Sequence, residues 1–131
     1  MKINSEKNSF SKLFDVSRET LTKLIQYELK IISFNEKSNI IGKSTIPYIW
    51  KRHFADSAKI LSFITEIVKK NENRKPTICD VGTGAGFPGL VILILNQEKK
   101  VNFHMTLVES NKKKCSFLKD CLLYTSTLPT T

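Results

Sequence analysis

The apolar positions of the chain repeat with a helical period in its first half and fall into short blocks after that. Leu21, Leu24, Ile25, Ile31 and Ile32 form one stripe at helical spacing. Ser17 stands where a helix cap belongs, and Val16 with Leu21 has the spacing of a hydrophobic staple, so a helix is expected from about Arg18. The polar residues 1–9 are expected to fray. Residues 34–45 are rich in Asn, Ser and Gly and read as a loop. A second helical region opens near Ile46, with Pro47 at a first-turn position where its missing N–H costs nothing. Asp56 or Ser57 is placed to cap a fresh helix that buries Ile60, Leu61, Ile64, Ile67 and Val68. Residues 69–76 form a polar linker ended by Pro76.

Beyond Pro76 the pattern changes. TICDV (77–81) leads into GTGAGFPG (82–89), LVILIL (90–95) follows, and FHMTLVE (103–109) comes after a polar stretch. LVILIL is short and apolar enough to be a strand, but Pro88 and the glycine turn before it favour helix. Ser110 or Asn111 is placed to cap a further helix. Strand, glycine turn, helix and strand make an α/β unit at 76–120 behind a helical segment at 1–75.

Composition narrows the class. The 131 residues suit one domain, and no apolar run approaches the ~20 residues of a membrane span. The N-terminus lacks the apolar block of a secretory signal, which points to the cytoplasm. The net charge is +9, yet residues 76–98 carry two acids and no base, an acidic island in a basic chain. A basic surface suits a polyanion, most simply nucleic acid, though a solvated lysine-rich face fits the charge equally well. Cys79, Cys115 and Cys121 fit no zinc or CxxC spacing and are expected as free thiols, with Cys79 in the core.

The central constellation is Asp80, Gly82, Thr83, Gly84, Gly86, Phe87, Gly89 and, at the end of the second strand, Glu109. Glycines there let a ligand approach backbone N–H groups, and the later acid suits ribose hydroxyls. Residues 84–89 formally match GxGxxG, a weak signal for a dinucleotide. An acid two residues before the first glycine would repel a pyrophosphate at the helix N-terminus. S-adenosylmethionine carries a sulfonium and an ammonium and no phosphate, so the acidic island favours it over NAD.

Three blocks then carry a family resemblance: Asn39-Ile40-Ile41 with WKRHFADS (50–57), then DVGTGAGFPG (80–89), then LVES (107–110) leading to Lys113, Lys114, Phe117 and Leu118. Over residues 18–119 the chain resembles the bacterial small-subunit (16S) ribosomal RNA guanine-N7 methyltransferase G family, also called glucose-inhibited division protein B. The resemblance implies a class I, Rossmann-like S-adenosylmethionine-dependent methyltransferase fold with an N-terminal helical extension. It implies methyl transfer to N7 of a guanine in 16S rRNA, by a cytoplasmic monomer whose partner is small-subunit rRNA or the ribosomal particle. Residue by residue, it makes Gly82, Thr83, Gly84, Gly86 and Phe87 the cofactor loop, with Asp80 near the methionine end and Glu109 near the ribose. Arg52, His53, Asp56 and Ser57 match its second motif beside the cleft. Lys113 and Lys114 are candidates for RNA phosphates, and no catalytic residue is assigned.

The chain departs from the family pattern after Asp120. Residues 121–131 turn Thr-rich, as expected of a truncated product or a foreign junction, and only two strands are visible. A two-stranded sheet leaves an apolar face uncovered, so LVILIL and FHMTLVE are expected to be partly exposed, stability to be marginal and methyl transfer by this chain alone to be absent. The alternatives are an NAD-type oxidoreductase and a non-catalytic RNA-binding module.

Overall fold

Five α-helices and two strands make up most of the computed structural model, which describes residues 4–124. The first, α1 (Ser5–Leu13), corrects the expectation of a frayed start. The Asn4 side chain accepts from the Lys7 amide at 3.0 Å, and buried Phe10 sets its ring 5.3 Å from Trp50. One aromatic anchor thus holds a segment too polar to be read as a helix from its pattern.

Helix α2 (Arg18–Asn35) is capped by Ser17, whose hydroxyl oxygen accepts from the Thr20 amide at 3.2 Å. The Ser17 amide in turn donates to the Glu98 carboxylate at 3.0 Å. After a loop comes a 3₁₀ turn, Lys43–Tyr48, with Pro47 inside it, and then a π-helical turn, Ile49–Phe54. This turn runs unbroken into α3 (Ala55–Lys70). Neither Asp56 nor Ser57 is therefore a cap: the backbone is already helical at Phe54, and the Ser57 hydroxyl donates to the His53 carbonyl at 2.7 Å. Leu61 and Ile64 of α3 are buried, but Ile60 and Ile67 are 38% and 49% exposed. The apolar stripe of α3 is wider than the helix it packs against, and periodicity alone does not reveal which edge is covered.

Strands β1 (Thr77–Val81) and β2 (His104–Val108) pair in parallel, with Cys79 opposite Thr106 and Asp80 opposite Leu107. Between them runs α4 (Gly89–Lys99), and α5 (Lys112–Tyr124) follows, with the Asn111 side chain accepting from the Lys114 amide at 3.1 Å. LVILIL is helical and wholly buried, not partly exposed, because α2 and α3 cover the side of α4 that the sheet does not. A helix apolar on all sides belongs in such a position. The open sheet face is real: Val81 is 76% exposed and Val108 43%. Strand alternation puts Cys79 on that face with Val81, so it is exposed and not a core residue. Cys79 and Cys115 are free thiols, and Cys121 is buried. Of the expected atypical tail, Cys121–Tyr124 continue α5, and 125–131 lie outside the described residues. No helix among the described residues is long and apolar enough to cross a membrane.

Candidate cofactor loop and its surroundings

The glycine loop grows out of both strand ends at once. The Gly82 and Thr83 amides donate to the Val108 carbonyl at 2.8 and 3.1 Å, and the Thr83 carbonyl then accepts from Gly86 and Phe87 at 3.0 and 3.1 Å. The four glycines divide by what stands behind them. A Cβ on Gly82 or Gly84 would meet nothing within 4 Å. On Gly86 it would lie 2.6 Å from the Tyr27 hydroxyl, and on Gly89 it would run into Leu107 and stand 2.7 Å from Asp80 Oδ2. Gly82 and Gly84 leave room for a ligand, whereas Gly86 and Gly89 allow the loop and α4 to pack against their own neighbours. Thr83 is buried in the turn, and its hydroxyl oxygen has no hydrogen-bond partner among the described residues.

Two carboxylates frame this loop at the C-terminal ends of the strands. Asp80 Oδ2 accepts from the Gly89 amide at 2.8 Å, so it occupies the head of α4, which no side chain at Pro88 caps. Glu109 accepts from the Asn111 amide at 2.9 Å and the Gly84 amide at 2.7 Å. Those two backbone donors, Asn111 first and Gly84 next, hold its carboxyl below its ordinary value of 4.5. A folded-state value that is lowered gives stability above the ordinary carboxylate range, lost as pH falls through the folded value. Glu109→Gln should therefore weaken the chain toward urea at neutral pH, and the gap to the parent should narrow as the titration moves below pH 4.5. A gap that stays constant or widens on acidification is the outcome that contradicts this role.

The WKRHFADS segment reaches the loop through one residue. The His53 ring lies flat on Phe87, centroids 4.2 Å apart and planes within 4°. Burial holds the imidazole below its ordinary pKa; Asp56 opposes the shift and Arg52 adds to it. Its Nε2 is buried without a hydrogen-bond partner among the described residues. Ser57 is buried beneath and fixes the His53 carbonyl, while Asp56 is exposed. Arg52 points elsewhere: its guanidinium lies over the Tyr48 ring, 5.0 Å from the centroid. The structure thus brings His53 to the glycine loop, with Ser57 holding its carbonyl from behind, and leaves Arg52 and Asp56 on the outside.

The first and third blocks also meet. Asn35 Oδ1 accepts from the Ile40 and Ile41 amides at 2.8 and 3.1 Å, which fixes the loop before the 3₁₀ turn. That loop and Lys114 line a hollow of about 350 Å³, and Lys114 also lies near enough to Glu109 to help lower its pKa. Lys113 is exposed on the first turn of α5.

Tyr27 is the residue that the sequence reading missed. Its hydroxyl donates to the Ala85 carbonyl, and its ring stacks on Phe54 with centroids 5.7 Å apart and meets Phe87 at 6.1 Å. Burial pushes the phenol well above its ordinary pKa, so it remains a donor to the loop. Its signal was its place in the α2 stripe, three residues after Leu24 and four before Ile31.

Comparison with known proteins adds a family match. The family described as rRNA small subunit methyltransferase G matches residues 20–126, past the point at which the tail was expected to depart. The protein of that name from Parvibaculum lavamentivorans is 38% identical over 115 residues, 88% of this chain and 47% of the relative. The Bartonella henselae protein is 44% identical over 104 residues, 79% of this chain and 44% of the relative. The Rhodospirillum centenum protein is 38% identical over 111 residues, 85% and 46% of the two chains. The chain spans about half the length of these curated relatives. No solved structure matches it.

Proposed function

The chain belongs to the rRNA small subunit methyltransferase G family, and from that premise we propose that its glycine loop seats S-adenosylmethionine for methylation of a guanine N7 in small-subunit rRNA. On this reading residues 76–120 are the first β-α-β unit of a Rossmann-like methyltransferase domain, and the helices of residues 1–75 are an extension packed over α4. The protein acts as a cytoplasmic monomer on ribosomal RNA or the ribosomal particle.

One observation carries the cofactor assignment: the Asp80 carboxylate already holds the Gly89 amide at the head of α4. That is where a dinucleotide would set its pyrophosphate, and the place is filled by an anion. The open side of Gly82 and Gly84 has an acid to either side, Asp80 and Glu109. A ligand with cationic groups and ribose hydroxyls suits that donor set. Asp80 would face its ammonium, and Glu109, already oriented by two amides, would accept from the ribose.

When bound, S-adenosylmethionine supplies an electrophilic methyl group on a sulfonium. Guanine N7 has a free lone pair and no proton to lose, so the protein needs no general base there. Its task is to bring two partners into line, which is worth several kcal/mol on its own. The Phe87 edge of the loop, backed by His53 and Tyr27, provides a rigid wall for this. Arg52, Lys113 and Lys114 supply positive charge for phosphates, with affinity that falls as salt rises.

A thermal-shift comparison tests the assignment. S-adenosylhomocysteine, which keeps the ammonium and the ribose, should raise the melting temperature in a concentration-dependent way, and NAD should not. Stabilisation by NAD alone would turn the site into that of an oxidoreductase. Indifference to both, with RNA binding intact, would leave an RNA-binding module.

A further inference from the structure

We propose that Tyr48 and Arg52 form a stacking platform for an unpaired RNA base on the outer side of the turn whose His53 packs against the glycine loop. The proposal rests on the RNA-methylation reading for its partner and on the following geometry for its place. Tyr48 is 47% exposed, a large aromatic ring that the core leaves in solvent. The Arg52 guanidinium lies over that ring at 5.0 Å and has no ion-pair partner among the described residues. A planar cation held against an aromatic face, with no carboxylate to satisfy it, gives two π surfaces and a fork of donors in one fixed place. Bases splayed out of single-stranded RNA are held on aromatic rings and guanidinium planes of this kind.

The platform is rigid because the segment that bears it is anchored on both sides. Ile49 and Phe54 are fully buried, and Trp50 and Ser57 nearly so. The π-helical turn sends Arg52 outward and its neighbour His53 inward onto Phe87 of the glycine loop. A base resting on Tyr48 and Arg52 is therefore registered against the cofactor loop through adjacent residues of one turn. Along residues 43–59 the chain carries Lys43, Lys51 and Lys59 against the single acid Asp56, a balance that suits the polyanion such a base brings with it.

Binding of a short, fluorescently labelled single-stranded RNA to the full 131-residue chain tests this, with the same-length abasic RNA and inorganic polyphosphate as controls. Tyr48→Ala should weaken binding of the intact RNA roughly fivefold or more, the size of one lost base stack. It should leave the salt dependence and the affinity for abasic RNA and polyphosphate unchanged. Tyr48→Phe should bind like the parent. Arg52→Lys, which keeps the charge and loses the plane, should weaken intact RNA more than polyphosphate. Unchanged RNA binding by Tyr48→Ala, or an equal loss toward all three polyanions, would overturn the platform. The S-adenosylhomocysteine thermal shift of Tyr48→Ala separates this from the cofactor reading. A normal shift with indifferent RNA binding sinks the platform alone. A base-dependent loss without any shift in the parent sinks the cofactor assignment and leaves the platform standing.

Discussion

Gly86→Ala is expected to lower stability by about 3 kcal/mol, combining left-handed backbone strain with overpacking. Gly86 has φ of 104°, a region that side-chain-bearing residues rarely adopt. The added methyl would also stand 2.6 Å from the Tyr27 hydroxyl and 2.7 Å from Leu90 Cβ. The hydroxyl is no loose neighbour, since it donates to the Ala85 carbonyl beside the new methyl and its ring is buried among Phe54, Phe87 and Phe117. The effect reads out as a fall in the urea midpoint with an unchanged slope. Tyr27→Phe in the same background removes one of the two collisions and leaves the Leu90 contact and the backbone strain. The pair should therefore cost less than the sum of its single changes. A Gly86→Ala chain as stable as its parent, or strict additivity with Tyr27→Phe, would show that Tyr27 does not brace the loop.

The same pair marks how far the sequence could be read. Features set by neighbours in the chain were legible: the Ser17 cap on α2, a cap at Ser110 or Asn111 that the fold assigns to Asn111, and a helix at LVILIL favoured by the glycine turn and Pro88. Features set by what arrives from elsewhere were not. Tyr27 is 58 residues from Ala85, and nothing local says which carbonyl it will find. His53 and Phe87 belong to separately recognisable motifs, but only the fold stacks one on the other. Helix α1 was invisible because its stability comes from Phe10 on Trp50 and not from an apolar stripe of its own. Cys79 looked buried because an apolar run hides its own alternation: Cys79 and Val81 share the face away from α4.

The candidate site divides in the same way. Motif spacing identifies Gly82, Gly84, Gly86 and Gly89 as one loop and cannot tell them apart. Their backs separate them, and those backs are Tyr27 and Leu90 from one side, Leu107 and Asp80 from the other. Asp80 changes most in meaning. Read from sequence, it is an acid that would repel a phosphate; in the fold it takes the amide a phosphate would need. Both readings rest on the one carboxylate, and both leave no place for a phosphate at the head of α4.

Gly84→Ala is expected to show the opposite behaviour from Gly86→Ala. Its φ of 61° makes alanine cost about 1 kcal/mol of backbone strain, and the new methyl has nothing within 4 Å to collide with. The chain should fold with a modest loss of midpoint. What the methyl enters is the open side of the loop, beside the Gly84 amide that Glu109 holds at 2.7 Å, where the proposed cofactor would lie. Affinity for S-adenosylhomocysteine should then fall tenfold or more, about 1.4 kcal/mol, measured by calorimetry at equal folded fraction. Gly84→Asn separates the two causes. Asparagine tolerates the left-handed region better than alanine but fills more space. It should therefore recover stability while binding the ligand no better, or worse. If affinity instead tracks stability across glycine, asparagine and alanine, the loop is merely a strained turn and its open side is not the cofactor's path.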